Sequence, residues 1–193
     1  MLWLVCGIAA FLLFLLYDIA EITNRFRVFR AGFFVGCFLL VLSTGGLVVQ
    51  AWPAAALQPF RLLLWCIPAL LCLLLLVYTL FFALPFGSTY ADAGKEPGHP
   101  ALCRSGVYAL CRHPGVLWLS GFYLFLWGAL GSGRLLAAFI LYTLLDIGYV
   151  VFQDRITFMR LFDEYADYRK TTPFLLPTPD SIRDCFATLN KKH

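Results

Sequence analysis

The sequence predicts an all-α, multi-pass membrane protein with about five transmembrane helices and a cytoplasmic C-terminal helix. The chain is 61% hydrophobic and 13% charged, whereas soluble domains are about 45–50% apolar and about 25% charged. It also contains long stretches with almost no charge, and a membrane-spanning helix needs roughly 20 mainly apolar residues. These stretches are residues 1–17, with no charge, 31–91, with only Arg61, and 113–153, with only Arg134 and Asp146.

The composition excludes several classes of protein. A chain with so few charges cannot cover the surface of a soluble enzyme, behave as a disordered segment or bind nucleic acid. The formal net charge is +4, and the 193 residues form one domain, 1–193. Seven cysteines without a CxxC pair, and three histidines without ligand spacing, fit neither a disulfide framework nor a metal site.

The apolar runs predict the elements in chain order. Span one has no basic residue before its apolar stretch and no small-x-small cleavage site, so we interpret it as a retained helix and not a signal peptide. A cytoplasmic helix is expected to continue span five over 154–170, with Ile156, Met159 and Phe162 on one face and prolines beyond its end. The five predicted spans are 2–20, 31–52, 62–84, 115–131 and 135–153.

The basic residues predict the orientation. Thirteen lysines and arginines lie between spans one and two, between spans three and four, or after span five, against two on the other side, Arg61 and Arg134. Because basic residues remain in the cytoplasm, the N-terminus is expected outside and the C-terminus in the cytoplasm. The expected location is the plasma (inner) membrane of a bacterium or an endomembrane, with membrane lipids as partners.

A polar turn precedes span four. Arg112 and His113 stand just before Pro114, which suits the first turn of a helix because its missing N–H would be unpaired there. The amides of a helix N-terminus attract carboxylates and phosphates. This turn is therefore a candidate anion site, and a plain membrane-edge anchor is the alternative.

A polar stripe runs along span five. Tyr142, Asp146, Tyr149 and Gln153 are spaced by four, three and four residues, which places them on one helix face. Asp146 is expected roughly 10 Å above Gln153, at 1.5 Å per residue. Carboxylates inside membranes face the interior of the bundle and are commonly functional. We interpret Tyr142, Asp146 and Tyr149 as the wall of a substrate pocket; the alternative is an aspartate that holds two helices in register.

Two blocks within residues 102–177 resemble a known family. The segment SGVYALCRHPG is similar to the S/T-G-x-Y-x-x-x-R-H-P signature of isoprenylcysteine carboxyl methyltransferases and phospholipid N-methyltransferases. The segment QDRITFMRLFDEYADYRKTTPFLLP is similar to that family's acidic pair, paired tyrosines, basic pair and proline ending. The first three spans match only in being apolar.

The resemblance implies a cytoplasm-facing site for S-adenosylmethionine and an acceptor that enters from the lipid. Gly106, Tyr108, His113 and Pro114 would hold the cofactor. Arg112 would orient the carboxylate of the cofactor or an acidic acceptor. Asp154 would take the place of the second acidic residue and Gln153 that of the first, and both would also bind the cofactor. The implied catalytic residues are Arg112 and Asp154. The implied reaction is methyl transfer to a lipophilic acceptor, either an isoprenylcysteine-like carboxylate or a lipid amine.

The sequence is also compatible with two other functions. One is an NADPH-dependent membrane reductase of the steroid-reductase type, which has a similar Arg-His-Pro turn. The other is a non-catalytic relative that binds lipid. Val116, where the family has tyrosine, and Gln153, where it has glutamate, favour the non-catalytic relative.

The short connection between spans four and five makes a geometric prediction. About three residues, Ser132 to Arg134, join the two spans, so they should be antiparallel neighbours. Their far ends then lie side by side, which predicts that Arg112, His113 and Asp154 border one pocket continuous with the stripe of span five.

Overall fold

The computed structural model describes residues 1–23, 31–55, 58–83 and 102–189, and every regular element in these ranges is helical. Residues 24–30, 56–57 and 190–193, and most of the predicted loop between spans three and four, lie outside the described residues. The helices are α1 Leu2–Thr23, α2 Gly32–Ala55, α3 Pro59–Phe81, α4 Val107–Leu110, α5 Pro114–Leu130, α6 Gly133–Phe152, α7 Phe158–Leu161, α8 Tyr165–Thr171 and α9 Pro179–Thr188.

The all-α membrane fold is confirmed. Within the described ranges, α1, α2, α3 and the continuous stretch that begins with α6 are long and apolar enough to cross a membrane. The apolar helix α5 has 17 residues, the lower end of the usual length of about 17–25 for a span. In a lipid environment the backbone must satisfy its own hydrogen bonds, and a helix does so within one segment.

The long helices pack in two connected groups. Helix α1 lies against α2 and α6, and α3 lies mainly against α5. Helices α5 and α6 form the predicted antiparallel hairpin across Gly131 and Ser132. Gly131 ends α5 with φ 64°, a left-handed conformation that glycine adopts without strain, and its N–H donates to the carbonyl oxygen of Trp127 at 2.7 Å.

Two tyrosine hydroxyls hold the core of the bundle together. Tyr142 on α6 shares a hydrogen bond of 2.8 Å with Ser43 on α2, and Tyr123 on α5 shares one of 2.6 Å with Thr44. Both rings are almost fully buried, and they meet edge to face. Gly7 lets α1 approach this point, because a Cβ there would lie 2.1 Å from the Tyr142 ring.

The predicted helix continues span five as far as Leu161 but is not continuous over 154–170. A π-helical turn, Gln153–Thr157, follows α6, and the chain then leaves the helix at Phe162, where φ is −126° and ψ is 114°. Phe162 is buried against Tyr165 and Tyr168, whereas Ile156 and Met159 are exposed, so the predicted apolar face does not exist as one surface. Tertiary packing of the aromatic rings has overridden the helical spacing.

Candidate functional site

A buried carboxylate, Asp154, joins the two motif segments. Its Oδ1 accepts hydrogen bonds from Arg112 Nε at 2.8 Å and from the Tyr165 hydroxyl at 2.7 Å. Its Oδ2 lies 3.3 Å from Arg169 Nε, and His113 Nε2 lies 3.5 Å from Oδ1. The Asp154 side chain is only 5% exposed. We call Arg112, His113, Asp154, Tyr165 and Arg169 the Asp154 cluster.

The π-helical turn at the end of α6 positions this carboxylate. The turn widens the helix by one residue, and both Asp154 and Thr157 are buried in it. Such turns inside α-helices are frequent at functional sites because they redirect side chains. Here the result is that Asp154 reaches the start of α5 while Thr157 reaches Asp18 on α1.

Arg112 forms hydrogen bonds with several separate segments of the protein. Besides Asp154, its guanidinium donates from Nη1 to the carbonyl oxygens of Arg169 at 3.0 Å and Thr172 at 2.7 Å. The backbone N–H groups of Arg112 and His113 donate to the carbonyl oxygens of Pro173 and Phe174. These contacts give Arg112 a structural role, and its orientation of a ligand carboxylate stays a prediction.

His113 connects the Asp154 cluster to a larger space. Its ring stacks on Phe158 and meets Phe174 edge to face. Nε2 is buried and lies 3.5 Å from Asp154 Oδ1, but it makes no hydrogen bond with any described residue. Burial lowers the pKa of His113 below its ordinary value despite the nearby carboxylate, so the imidazole is neutral at pH 7.

The larger space is a cavity of about 340 Å³ between the helices, which we call the main cavity. Ligand pockets generally measure about 300–1,000 Å³ and combine apolar walls with a few polar groups. One end has polar and aromatic walls and the other is apolar. The polar end includes Tyr108, His113, Gln153, Phe158, Tyr165 and Tyr168; the apolar end includes Phe11, Phe14, Leu40, Leu76 and Leu119.

The main cavity adjoins a hydrogen-bond network that includes Asp18. The Tyr149 hydroxyl donates to Asp18 Oδ1 at 3.1 Å, and Thr157 donates to Oδ2 at 3.2 Å. Gln153 Nε2 donates to the Tyr149 hydroxyl at 2.8 Å. The sequence alone does not predict that Asp18 connects α1 to α6. The available signal was its spacing of four and seven residues from Phe14 and Phe11, which places it on the buried face of α1.

A second carboxylate in the cavity, Asp146, differs from Asp18. Asp146 lines the main cavity, and no side chain or backbone group of the described residues donates a hydrogen bond to it or forms an ion pair with it. It lies one helical turn from Tyr149 and two turns from Gln153. No contact among the described residues therefore supports the interpretation of Asp146 as a residue that holds two helices in register.

Helices α2 and α3 form one side wall of the cavity. Residues of α2 and α3 both line it, including Phe34 and Leu80. Yet among the described ranges these two helices pack little on each other, apart from a ring contact between Phe33 and Phe81. Phe34 lines the cavity and is also 61% exposed on the outer surface of the bundle. Little direct packing thus joins α2 and α3 beside the cavity, and we call this region the gap between α2 and α3.

The structure brings some predicted site residues together and separates others. His113 and Pro114 line the main cavity with Tyr108, Tyr149, Gln153 and Asp146, and Arg112 reaches its edge. Asp154 lines a separate pocket of about 190 Å³ instead. The prediction of one shared pocket is corrected accordingly.

Two further predicted residues lie away from the cavity. Tyr142 is 0% exposed and is absent from the cavity wall, because Ser43 and the backbone of α1 bind its hydroxyl. Gly106 precedes α4 with φ 59°, and its N–H donates to the Thr188 hydroxyl of α9. Gly106 therefore shapes the turn that presents Tyr108 and does not touch the cavity.

Comparison of the chain with protein-family models, with curated proteins and with solved structures gave no match.

Proposed function

We propose that this membrane-embedded protein transfers a methyl group from S-adenosylmethionine to a lipophilic acceptor at the cytoplasmic face of the membrane. The observation that supports the proposal is the main cavity, whose wall combines a polar aromatic end, beside the Arg112–His113–Pro114 turn, with an apolar end. A polar cofactor and an apolar acceptor need such a shared space. The resemblance of residues 102–177 to membrane methyltransferases supplies the reaction type.

The residues at the polar end are compatible with a polar cofactor. Two buried polar atoms in the cavity wall, His113 Nε2 and Thr79 Oγ1, have no hydrogen-bond partner among the described residues. Buried polar atoms nearly always have a partner, so each is a candidate contact for a bound polar group. Phe158, Tyr165 and Tyr168 add flat aromatic surfaces there.

The chemistry demands mainly orientation. When bound, S-adenosylmethionine supplies a methyl group on a positively charged sulfur, which a nucleophile attacks in line. Holding two reactants in register and excluding water supplies much of the acceleration of such a reaction. In this proposal His113 and the three aromatic residues hold the cofactor end, the Asp154 cluster fixes their positions, and the α2–α3 gap admits the acceptor.

Orientation in the membrane belongs to the same proposal. The cytoplasmic side would contain the Asp154 cluster and the C-terminal helices, as the distribution of basic residues suggests. S-adenosylmethionine is made in the cytoplasm, so a site that uses it must face that side.

Ligand binding to the purified full chain in detergent tests the proposal. We expect saturable binding of S-adenosylmethionine, measured by calorimetry, and no binding of NADPH. His113→Ala should weaken the binding at least tenfold, whereas Arg134→Gln, at the opposite end of α6, should leave it unchanged. Binding of NADPH instead would support the reductase, and binding of neither would support the non-catalytic relative.

The acceptor can be sought directly. Protein incubated with a lipid extract and isotopically labelled methyl donor should produce a labelled lipophilic product that mass spectrometry detects. A product that forms equally with His113→Ala protein would contradict the proposed site.

A further inference from the structure

The ionisable side chains that line the main cavity include two acids and few bases. Two carboxylates, Asp18 and Asp146, line its wall. The only basic side chains among its described lining residues are Arg112 and His113, and Asp154 already neutralises Arg112. His113 is neutral at pH 7, since burial lowers its pKa. A ligand anion in this cavity would find no free cation among the described residues.

The two carboxylates are not equivalent. Asp18 accepts hydrogen bonds from Tyr149 and Thr157. Asp146 accepts none from any described residue, although it lies within the apolar span α6. An ionised carboxylate without a partner is unfavourable in an apolar environment, and a positively charged partner offsets part of that free-energy cost. Among the groups that line the cavity, Asp146 is therefore the one that a cationic ligand would stabilise most.

The depth of Asp146 limits the form of the ligand. It stands seven residues from Gln153, roughly 10 Å along the helix at 1.5 Å per residue. The walls around this level are apolar, with Phe14, Cys37 and Leu119 among them. A phosphate attached to the amine would have to enter this zone with no described cation to receive it. An amine on a plain hydrocarbon chain meets no such cost.

We infer that Asp146 is the binding site for the ammonium group of a long-chain amine that lacks a phosphate, with its hydrocarbon chain lying through the gap between α2 and α3. In naming this amine as the methyl acceptor, the inference rests on the proposed function. The binding of the amine can be measured without methyl transfer. A nitrogen must lose a proton before its lone pair is free, and the Asp146 carboxylate can accept that proton, leaving a neutral acid beside a neutral amine.

The test compares ligands of equal chain length on the full protein in phosphatidylcholine nanodiscs. The probes are dodecylamine, dodecanoate and a lysophosphatidylethanolamine with a twelve-carbon chain. We expect saturable binding of dodecylamine, with dodecanoate and the lysophospholipid at least tenfold weaker. Equal or tighter binding of dodecanoate or of the lysophospholipid would overturn the inference, and this comparison needs no variant.

A pair of variants then assigns the binding to Asp146. Asp146→Asn keeps the size of the side chain and removes its charge, so it should weaken dodecylamine binding at least tenfold. Asp163→Asn, on the exposed segment between α7 and α8, is the matched control and should bind like the original chain. Unchanged binding by Asp146→Asn protein with an unaltered melting temperature would overturn the inference.

Measurement of S-adenosylmethionine binding on the same samples separates the two proposals. If dodecylamine binds through Asp146 but S-adenosylmethionine does not bind, the amine site stands and the methyltransferase proposal fails. If S-adenosylmethionine binds but dodecylamine does not, the amine site fails and the methyltransferase proposal stands.

Discussion

Arg112 and Asp154 lie 42 residues apart in the chain, and two hydrogen bonds between the guanidinium and the carboxylate join the adjacent ends of α5 and α6. Both side chains are nearly buried, 8% and 5% exposed. The pair closes the open end of a hairpin whose other end is the turn at Gly131. It also anchors the segment that contains Thr172, so one ion pair organises three parts of the chain.

The first prediction concerns this pair. Removing one partner leaves a buried charge uncompensated, so Arg112→Ala and Asp154→Asn should each lower the free energy of unfolding by about 3–5 kcal/mol. Removing the exposed pair in Arg104→Gln should cost about 0–1 kcal/mol, because Arg104 and Glu164 are largely solvated. Thermal melts in detergent measure all three, and equal losses would show that the buried pair has no special role.

The second prediction is a pH dependence at His113. Its pKa in the folded protein lies below the ordinary value of 6.5 because burial disfavours the charged ring. As the pH falls below about 6.5, the unfolded chain takes up a proton at this position before the folded one does, and stability falls. Above that pH the penalty is absent. Melting temperatures between pH 5 and pH 8 should therefore show a smaller acid loss for His113→Gln than for the original chain.

The third prediction concerns packing between α1 and α6. In Gly7→Ala the new Cβ would lie 2.1 Å from the Tyr142 ring, and the helices would have to separate. We expect a loss of about 1–3 kcal/mol in the free energy of unfolding. Gly148→Ala is the control, because nothing lies within 4 Å of a Cβ there. That variant should be neutral or stabilised by up to about 1 kcal/mol through better helix propensity.

The fourth prediction separates function from stability at Asp146. No described residue donates a hydrogen bond to this carboxylate, so the structure shows no stabilising contact that the side chain of Asp146 makes. Asp146→Leu should therefore raise the melting temperature by the equivalent of about 1 kcal/mol or more. The same change should abolish the labelled product in the methyl-transfer assay. Asp163→Leu serves as the exposed control, and a stability loss specific to Asp146→Leu would contradict the prediction.

The fifth prediction concerns topology. Reporter proteins fused to the C-terminus should be active only in a cytoplasmic form, and those fused to the N-terminus only outside, because basic residues cluster on one side of the spans. A reversed pattern would contradict both the orientation and the placement of the Asp154 cluster.

The sequence predicts the long helices to within a few residues. Their bounds follow from apolar runs that end at prolines, glycines or charges, as at Pro114 and Gly131. The side-by-side placement of His113 and Asp154 follows from the short hairpin alone. These are properties of single segments and their connections, which local patterns encode.

Other features depend on partners that are distant in the chain. Tyr142 falls on the predicted polar stripe, but Ser43, 99 residues away, draws its hydroxyl into the core. Asp18 has partners 131 and 139 residues away, so its spacing on α1 predicts that it is buried but does not identify those partners. The break at Phe162 arises because its ring packs with two tyrosines that follow it. Helical spacing cannot foresee such packing.

The pairing of the Arg112 segment with Pro173 and Phe174 also has a consequence for synthesis. The carbonyl groups that receive its hydrogen bonds are made about 60 residues later. While the ribosome produces α5 and α6, Arg112 therefore remains a free positive charge beside the hairpin that is being inserted. In the proposed orientation, this charge would hold that end of α5 on the ribosome's side of the membrane before Arg112 has any partner. Arg112 would then have two roles: a signal for insertion during synthesis, and afterwards an ion pair with Asp154 that joins the ends of α5 and α6.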